Sequence, residues 1–185
     1  MRVLGISGSL RRDSLNSALL RAAAERLPAG VELAEYEGLR EIPPYDADLE
    51  LEGTPAAVRE LREAIREADA VLIATPEYNH SIPGQLKNAR DWASRPAGES
   101  ALNGKPAAAI GASKSMFGGV WAQAELRKVL ATAGARVIED GVAVGRAHER
   151  FDVDRALTDD ELRAQLGDVL KTLIDEAAPA VLVAA

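Results

Sequence analysis

No cysteine occurs in the 185 residues, which excludes disulfides, thiolate nucleophiles and cysteine-held metals together. The same absence fits a reducing compartment. Histidine is nearly as scarce: His80 and His148 are the only two, and their wide separation supports no metal pair. Positive charge is in deficit, with a formal net charge of −7, which argues against a nucleic-acid or membrane-surface binder. No apolar run approaches the roughly 20 residues that cross a bilayer. The apolar stretch in "MRVLGISGS" is too short for a signal peptide and reads as a first strand, so a cytoplasmic protein is expected. Three familiar motifs are also missing: G-x-G-x-x-G, G-x-x-x-x-G-K-[ST] and the G-x-S-x-G elbow.

What remains is ordinary globular composition, 47% hydrophobic and 28% charged, at a length that suits one domain with a substantial core. Short apolar runs alternate with longer amphipathic segments. "VLGIS" (3–7), "VELAEY" (31–36), "AVLIAT" (70–75) and "PAAAIGAS" (106–113) read as strands, and "RVIED" with "VAVG" as an interrupted fifth. Helical spacing covers residues 14–27, a segment capped by Thr54 with Pro55 at its first position, "PGQLKNARDWAS" from Pro83, residues 119–133, and residues 159–177. Residues 38–53, rich in Pro, Gly and acids, read as a loop. An apolar stretch, "PAVLVAA" (179–185), follows the last helix. Five βα units imply an α/β fold with a doubly wound, five-stranded parallel sheet and helices on both faces. Ligands bind such sheets outside the carboxyl ends of the strands. The polar loops after strands 1, 3 and 4 are therefore expected to form one cleft.

The first loop, within "GISGSLRRDSLNSALL" (5–20), packs Ser7, Ser9, Arg11, Ser14, Asn16 and Ser17 against a helix start. Free N–H groups, hydroxyls and a forked guanidinium together suit a terminal phosphate monoester. The plainer alternative is that Ser14 only caps the helix while Arg11 and Arg12 lie in solvent. The second loop, "TPEYNHSIPGQ" (75–85), sets Tyr78 beside Asn79 between two prolines. A flat heterocycle with donors and acceptors on its edge would suit that pair; so would a rigid turn carrying a surface tyrosine. The third, "GASKSMFGGVWAQ" (111–123), offers glycines for close backbone approach and an apolar wall of Met116, Phe117 and Trp121. Those apolar residues equally suit a core or subunit-contact cluster.

"GSLRRDSLN", "PEYNHSIPGQLKNARDW" and "GAS…FGG…AQ" together resemble the NAD(P)H-dependent FMN reductase family, a flavodoxin-like group that includes quinone, azo-dye and chromate reductases. The resemblance spans nearly the whole chain and implies one flavodoxin-like, FMN-binding domain over residues 1–185. It assigns Ser9, Arg11, Ser14, Leu15, Asn16 and Ser17 to the FMN phosphate side. Pro76, Glu77, Tyr78 and Asn79 would lie along the isoalloxazine ring, with Ser113 closing the site. It further implies NADPH or NADH as co-substrate, a small acceptor such as a quinone or free flavin, and a homodimer or homotetramer. Many relatives carry a shorter glycine-rich third loop followed by an Arg-Ala pair, whereas this chain has "SKSMFGGVWAQ", so that Trp121 falls where the resemblance implies a more polar residue.

The expected activity is FMN-dependent oxidoreduction, with no catalytic side chain named because the cofactor carries the redox chemistry. One rival is a non-enzymatic flavodoxin-like electron carrier, which would share the fold and phosphate loop but need no nicotinamide cleft. A second is a phosphoacceptor signalling domain, which would need acidic residues where this chain has Ser and Arg after its first strand.

Overall fold

The computed structural model describes residues 1–178; the stretch 179–185 lies outside the described residues. Its centre is a parallel sheet. Strands β1 (Arg2–Ser7), β2 (Glu32–Glu35), β3 (Ala70–Ala74), β4 (Pro106–Ala112) and β5 (Arg136–Val137) run in the order β2-β1-β3-β4-β5. A further two-residue strand, β6 (Ala143–Val144), also pairs with β4. β5 pairs with Pro106 and Ala107, and β6 with Gly111 and Ala112, so the two short strands are one edge interrupted midway.

Every residue of β3 and β4 is buried, as helices on both faces require. Side chains alternate across the sheet. Val71 and Ile73 join the core under α3 (Ala56–Glu67), α4 (Gly84–Ala93) and α5 (Val120–Thr132), where Leu61, Ile65, Trp92, Leu126 and Leu130 pack. Ala70, Leu72 and Ala74 face α1 (Leu15–Ala24) and α6 (Asp160–Ala177), with Leu19, Leu20, Leu166, Leu170 and Leu173. The strand order reverses between β1 and β3, which puts the topological switch point at their carboxyl ends.

Three local expectations are corrected. Residues 38–53 are not simply a loop: they hold a 3₁₀ turn at Gly38–Glu41 and a short helix, α2 (Ala47–Glu52). Asp46 caps α2 by accepting from the Asp48 N–H at 2.9 Å, and acidic residues in its first turn suit a helix N-terminus. Thr54 does not cap α3. Pro55 occupies the cap position without a side-chain bond, while the Thr54 hydroxyl accepts from the buried Arg62 guanidinium at 3.3 Å. Arg62 also donates to the Trp92 carbonyl at 3.0 Å and lies 3.8 Å from the Glu50 carboxylate, tying α2, α3 and α4 together. Finally, α1 ends at Ala24, ahead of Leu27, in a run of turns.

Candidate functional site

The first loop leaves β1 and is fastened at once. The Gly8 N–H donates to the Ala74 carbonyl at the end of β3 (2.8 Å). Ser14 is the N-cap of α1, its hydroxyl accepting from the Asn16 and Ser17 N–H groups at 3.1 and 3.3 Å. This is the usual use of serine at that position. Asn16 is buried, and its amide is doubly engaged with one residue of β4: Nδ2 donates to the Ala112 carbonyl (3.0 Å) and Oδ1 accepts from the Ala112 N–H (2.9 Å). That pair locks the start of α1 to the end of β4. The Ser17 hydroxyl lies 3.0 Å from that of Ser7. Beside it, burial raises the pKa of the Glu35 carboxyl, against the opposing pull of Arg21 and of Ser17. Arg11 and Arg12 are exposed.

The second loop is a tight hairpin. Tyr78 and Ser81 exchange backbone hydrogen bonds of 3.0 and 3.1 Å, and the two residues between them, Asn79 and His80, have φ of 53° and 60°. Two left-handed residues in a two-residue hairpin describe a type I′ turn, where asparagine is favoured. The turn holds Tyr78 half-exposed at its base. Glu77 reaches across to the third loop, where one carboxylate oxygen accepts from the Trp121 and Ala122 N–H groups, both at 3.1 Å. An anion there satisfies the free donors of α5 and its partial positive charge.

The third loop depends on glycine. Gly118 has φ of 62°, and a Cβ there would lie 2.5 Å from the Ala143 carbonyl carbon in β6. Its apolar residues stay outside the core. Trp121 packs edge-on to His80 and to Phe117, with ring centroids 4.5 and 5.0 Å apart. Met116, Phe117 and Trp121 are exposed, as is Val120, so the core alternative for the first three is wrong in this chain.

The three loops meet. A cleft of about 130 Å³ at the switch point is lined by Ser9, Arg11, Ser14, Leu15, Asn16, Pro76, Glu77, Tyr78 and Ser113, with Ala112 and Lys114. Of the residues that the resemblance assigns to the cofactor, Ser17 and Asn79 are not part of the lining: Ser17 is partly buried and Asn79 is exposed at the hairpin turn. Lys114, directly after Ser113 beyond the end of β4, joins the lining among the residues from Ser113 onward that the resemblance places at the site's edge. The cleft carries the donors of a phosphate site, Arg11 with the serine hydroxyls at the start of α1, and a tyrosine wall. Those residues fit FMN. No group of three or more His, Asp or Glu among the described residues could hold a metal ion, and no helix among them is long and apolar enough to cross a membrane.

The chain is similar to known proteins. The sequence profile described as NADPH-dependent FMN reductase matches residues 1–149. An NAD(P)H-dependent FMN reductase of Pseudomonas aeruginosa is 46% identical over 94% of this chain and 93% of its own length. A quinone reductase of Escherichia coli is 42% identical over 75% of this chain and 73% of its own. Among solved structures, FerB of Paracoccus denitrificans, a flavoenzyme NAD(P)H:(acceptor) oxidoreductase, superposes with a TM-score of 0.86. It is 36% identical, and the match covers 95% of this chain and 96% of that one.

Proposed function

We propose, from the premise that this chain belongs to the NADPH-dependent FMN reductase family, that the three-loop cleft is where it holds FMN. The protein is an FMN-dependent oxidoreductase that uses NAD(P)H and reduces a small acceptor such as a quinone or a flavin. When bound, FMN supplies the redox chemistry, and the protein supplies binding, orientation and electrostatics. The observation that carries the assignment is the convergence of the three loops on one cleft at the switch point.

In this reading Arg11 and the hydroxyls of Ser9 and Ser14 receive the phosphate, with Leu15 and Asn16 completing the start of α1. Asn16 works by fixing that helix end to β4, and Ser17 through its bond to Ser7. Pro76, Glu77, Tyr78 and Ser113 border the ring. Glu77 does so by fastening the α5 end, and Asn79 by turning the chain so that Tyr78 faces the cleft. Lys114 adds a second cation to the lining.

The exposed Met116, Phe117, Val120 and Trp121 form an apolar group beside this cleft, which favours a homodimer or homotetramer with that surface at a subunit contact. A chain without cysteine fits the cytoplasm. The electron-carrier alternative has no support among the relatives, which are named reductases.

The test is a titration of the ligand-free protein with FMN, FAD and riboflavin, followed by the visible absorption of the complex and by mixing with NADPH. FMN should bind tightest and bleach on mixing. Preference for FAD, or equal affinity for FMN and riboflavin, would refute the phosphate assignment. A complex that stays oxidised with both NADPH and NADH would refute the reductase cleft.

A further inference from the structure

The connection between β2 and α3 does not line the cleft, yet it is joined to it by hydrogen bonds. Residues 38–45 lie across α4 and are held there by one stripe of that helix. Gln85 Nε2 donates to the Leu39 and Ile42 carbonyls at 2.7 and 2.8 Å. Asn88 donates to the Pro43 carbonyl and accepts from the Tyr45 N–H, both at 2.7 Å. The Trp92 indole N–H donates to the same Pro43 carbonyl at 2.9 Å. Residues 85, 88 and 92 share one helix face, and Leu39 and Ile42 are buried beneath the segment they help to hold.

From this anchored segment the Arg40 guanidinium donates to the Leu10 carbonyl, inside the first loop. Between its fastened ends at Gly8 and Ser14 the loop's bonds to itself are long: the Ser7 and Ser9 hydroxyls accept from the Ser9 and Arg11 N–H groups at 3.4 Å each. Ordering a loop costs conformational entropy, and a contact made before the ligand arrives removes that cost from the binding step.

We propose that Arg40 is a positioning residue, which holds residues 9–14 ready for the phosphate by gripping the Leu10 carbonyl. The proposal rests on the reading of this loop as the FMN phosphate site. It gives the motif residues Gln85, Asn88 and Trp92 a common purpose, since they fix the base from which Arg40 reaches.

The experiment compares the full chain with Arg40→Ala and Arg40→Lys, titrating FMN and riboflavin and following amide hydrogen exchange in the ligand-free protein. Arg40→Ala should weaken FMN by about 3- to 10-fold, the effect of one ordinary net hydrogen bond, and leave riboflavin unchanged. It should also speed exchange across residues 9–14, with Arg40→Lys recovering part of both effects. Unchanged exchange in that segment overturns the proposal, because any loss of FMN would then be a direct effect of charge. An equal loss of both ligands overturns it too, since Arg40 would be supporting the fold. Should the wild type not prefer FMN over riboflavin, the phosphate reading fails separately, and the exchange result alone decides whether Arg40 holds the loop.

Discussion

The two walls of the cleft are built in opposite ways. On the side of the first loop, nearly every short polar side chain is engaged within the protein: Ser14 with two N–H groups, Asn16 with Ala112, and Ser17 with Ser7. Arg11 is left exposed on that frame. On the other side, Glu77 and the glycines fix the backbone, while Tyr78, Phe117 and Trp121 stand half-exposed. In the proposed site the first-loop wall receives the phosphate, which charges and donors held in place recognise, so a wired wall suits it. The proposed place for planar substrates that arrive and leave in turn is the other wall, whose open, apolar surface supplies area and access.

The sharpest way to break the comparison is Gly118→Ala. The residue would combine a left-handed φ of 62° with a Cβ 2.5 Å from the Ala143 carbonyl carbon. Left-handed strain costs roughly 1–3 kcal/mol and overpacking about as much, for a combined loss of about 2–6 kcal/mol in urea denaturation. A variant as stable as the wild type would mean that the third loop can rearrange freely. Arg11→Ala comes next. A hydrogen bond from a charged group contributes roughly 1.5–3 kcal/mol, so FMN affinity should fall on the order of 10- to 150-fold, with riboflavin unaffected. Added salt should weaken FMN more in the wild type than in the variant, because screening acts on charge. Equal losses for both ligands would show that Arg11 supports the fold.

The wired wall was the more legible in the sequence. Hydroxyls, an amide and a basic residue between an apolar run and a helical pattern announce a strand-to-helix junction with polar work to do. The interrupted fifth strand was legible too, since "RVIED" and "VAVG" flank Gly141. What stayed hidden was partnership across the fold. That Asn16 bonds to Ala112, or Glu77 to the start of α5, depends on contacts between distant segments, which no local pattern encodes. The short helix at Ala47–Glu52 escaped for the same reason. Its acidic sequence lacks a buried stripe, and its Glu50 lies in the folded protein beside the buried Arg62.

Glu77→Ala tests the other wall at smaller amplitude. Two α5 donors would lose their acceptor, at a cost of about 0.5–2 kcal/mol by analogy with lost helix caps. Glu77→Gln should cost less, since it keeps an oxygen and forgoes only the charge facing the helix end, roughly 0.3–1 kcal/mol. In the proposed site this carboxylate fastens loops on the ring side rather than the phosphate side, so FMN and riboflavin should weaken together. A loss confined to FMN would instead place Glu77 on the phosphate side and dissolve the distinction between the walls.

The smallest expected effect separates two meanings of Asn79. Its φ of 53° and its place in the Tyr78–Ser81 hairpin give it a backbone role, while its amide could also meet the edge of a flat ligand. Glycine adopts left-handed φ without steric cost but loses more entropy on folding, by roughly 0.5–1 kcal/mol. The two effects oppose each other in Asn79→Gly, so stability should change by less than about 0.5 kcal/mol. Flavin affinity should stay within about twofold, a change of less than roughly 0.5 kcal/mol. Asn79→Val forces a β-branched residue into the same conformation, at roughly 1–2 kcal/mol. It should displace Tyr78 and weaken FMN and riboflavin alike. The two titrations together decide the matter: a glycine variant that binds flavin as poorly as the valine variant would mean that the amide itself touches the ring.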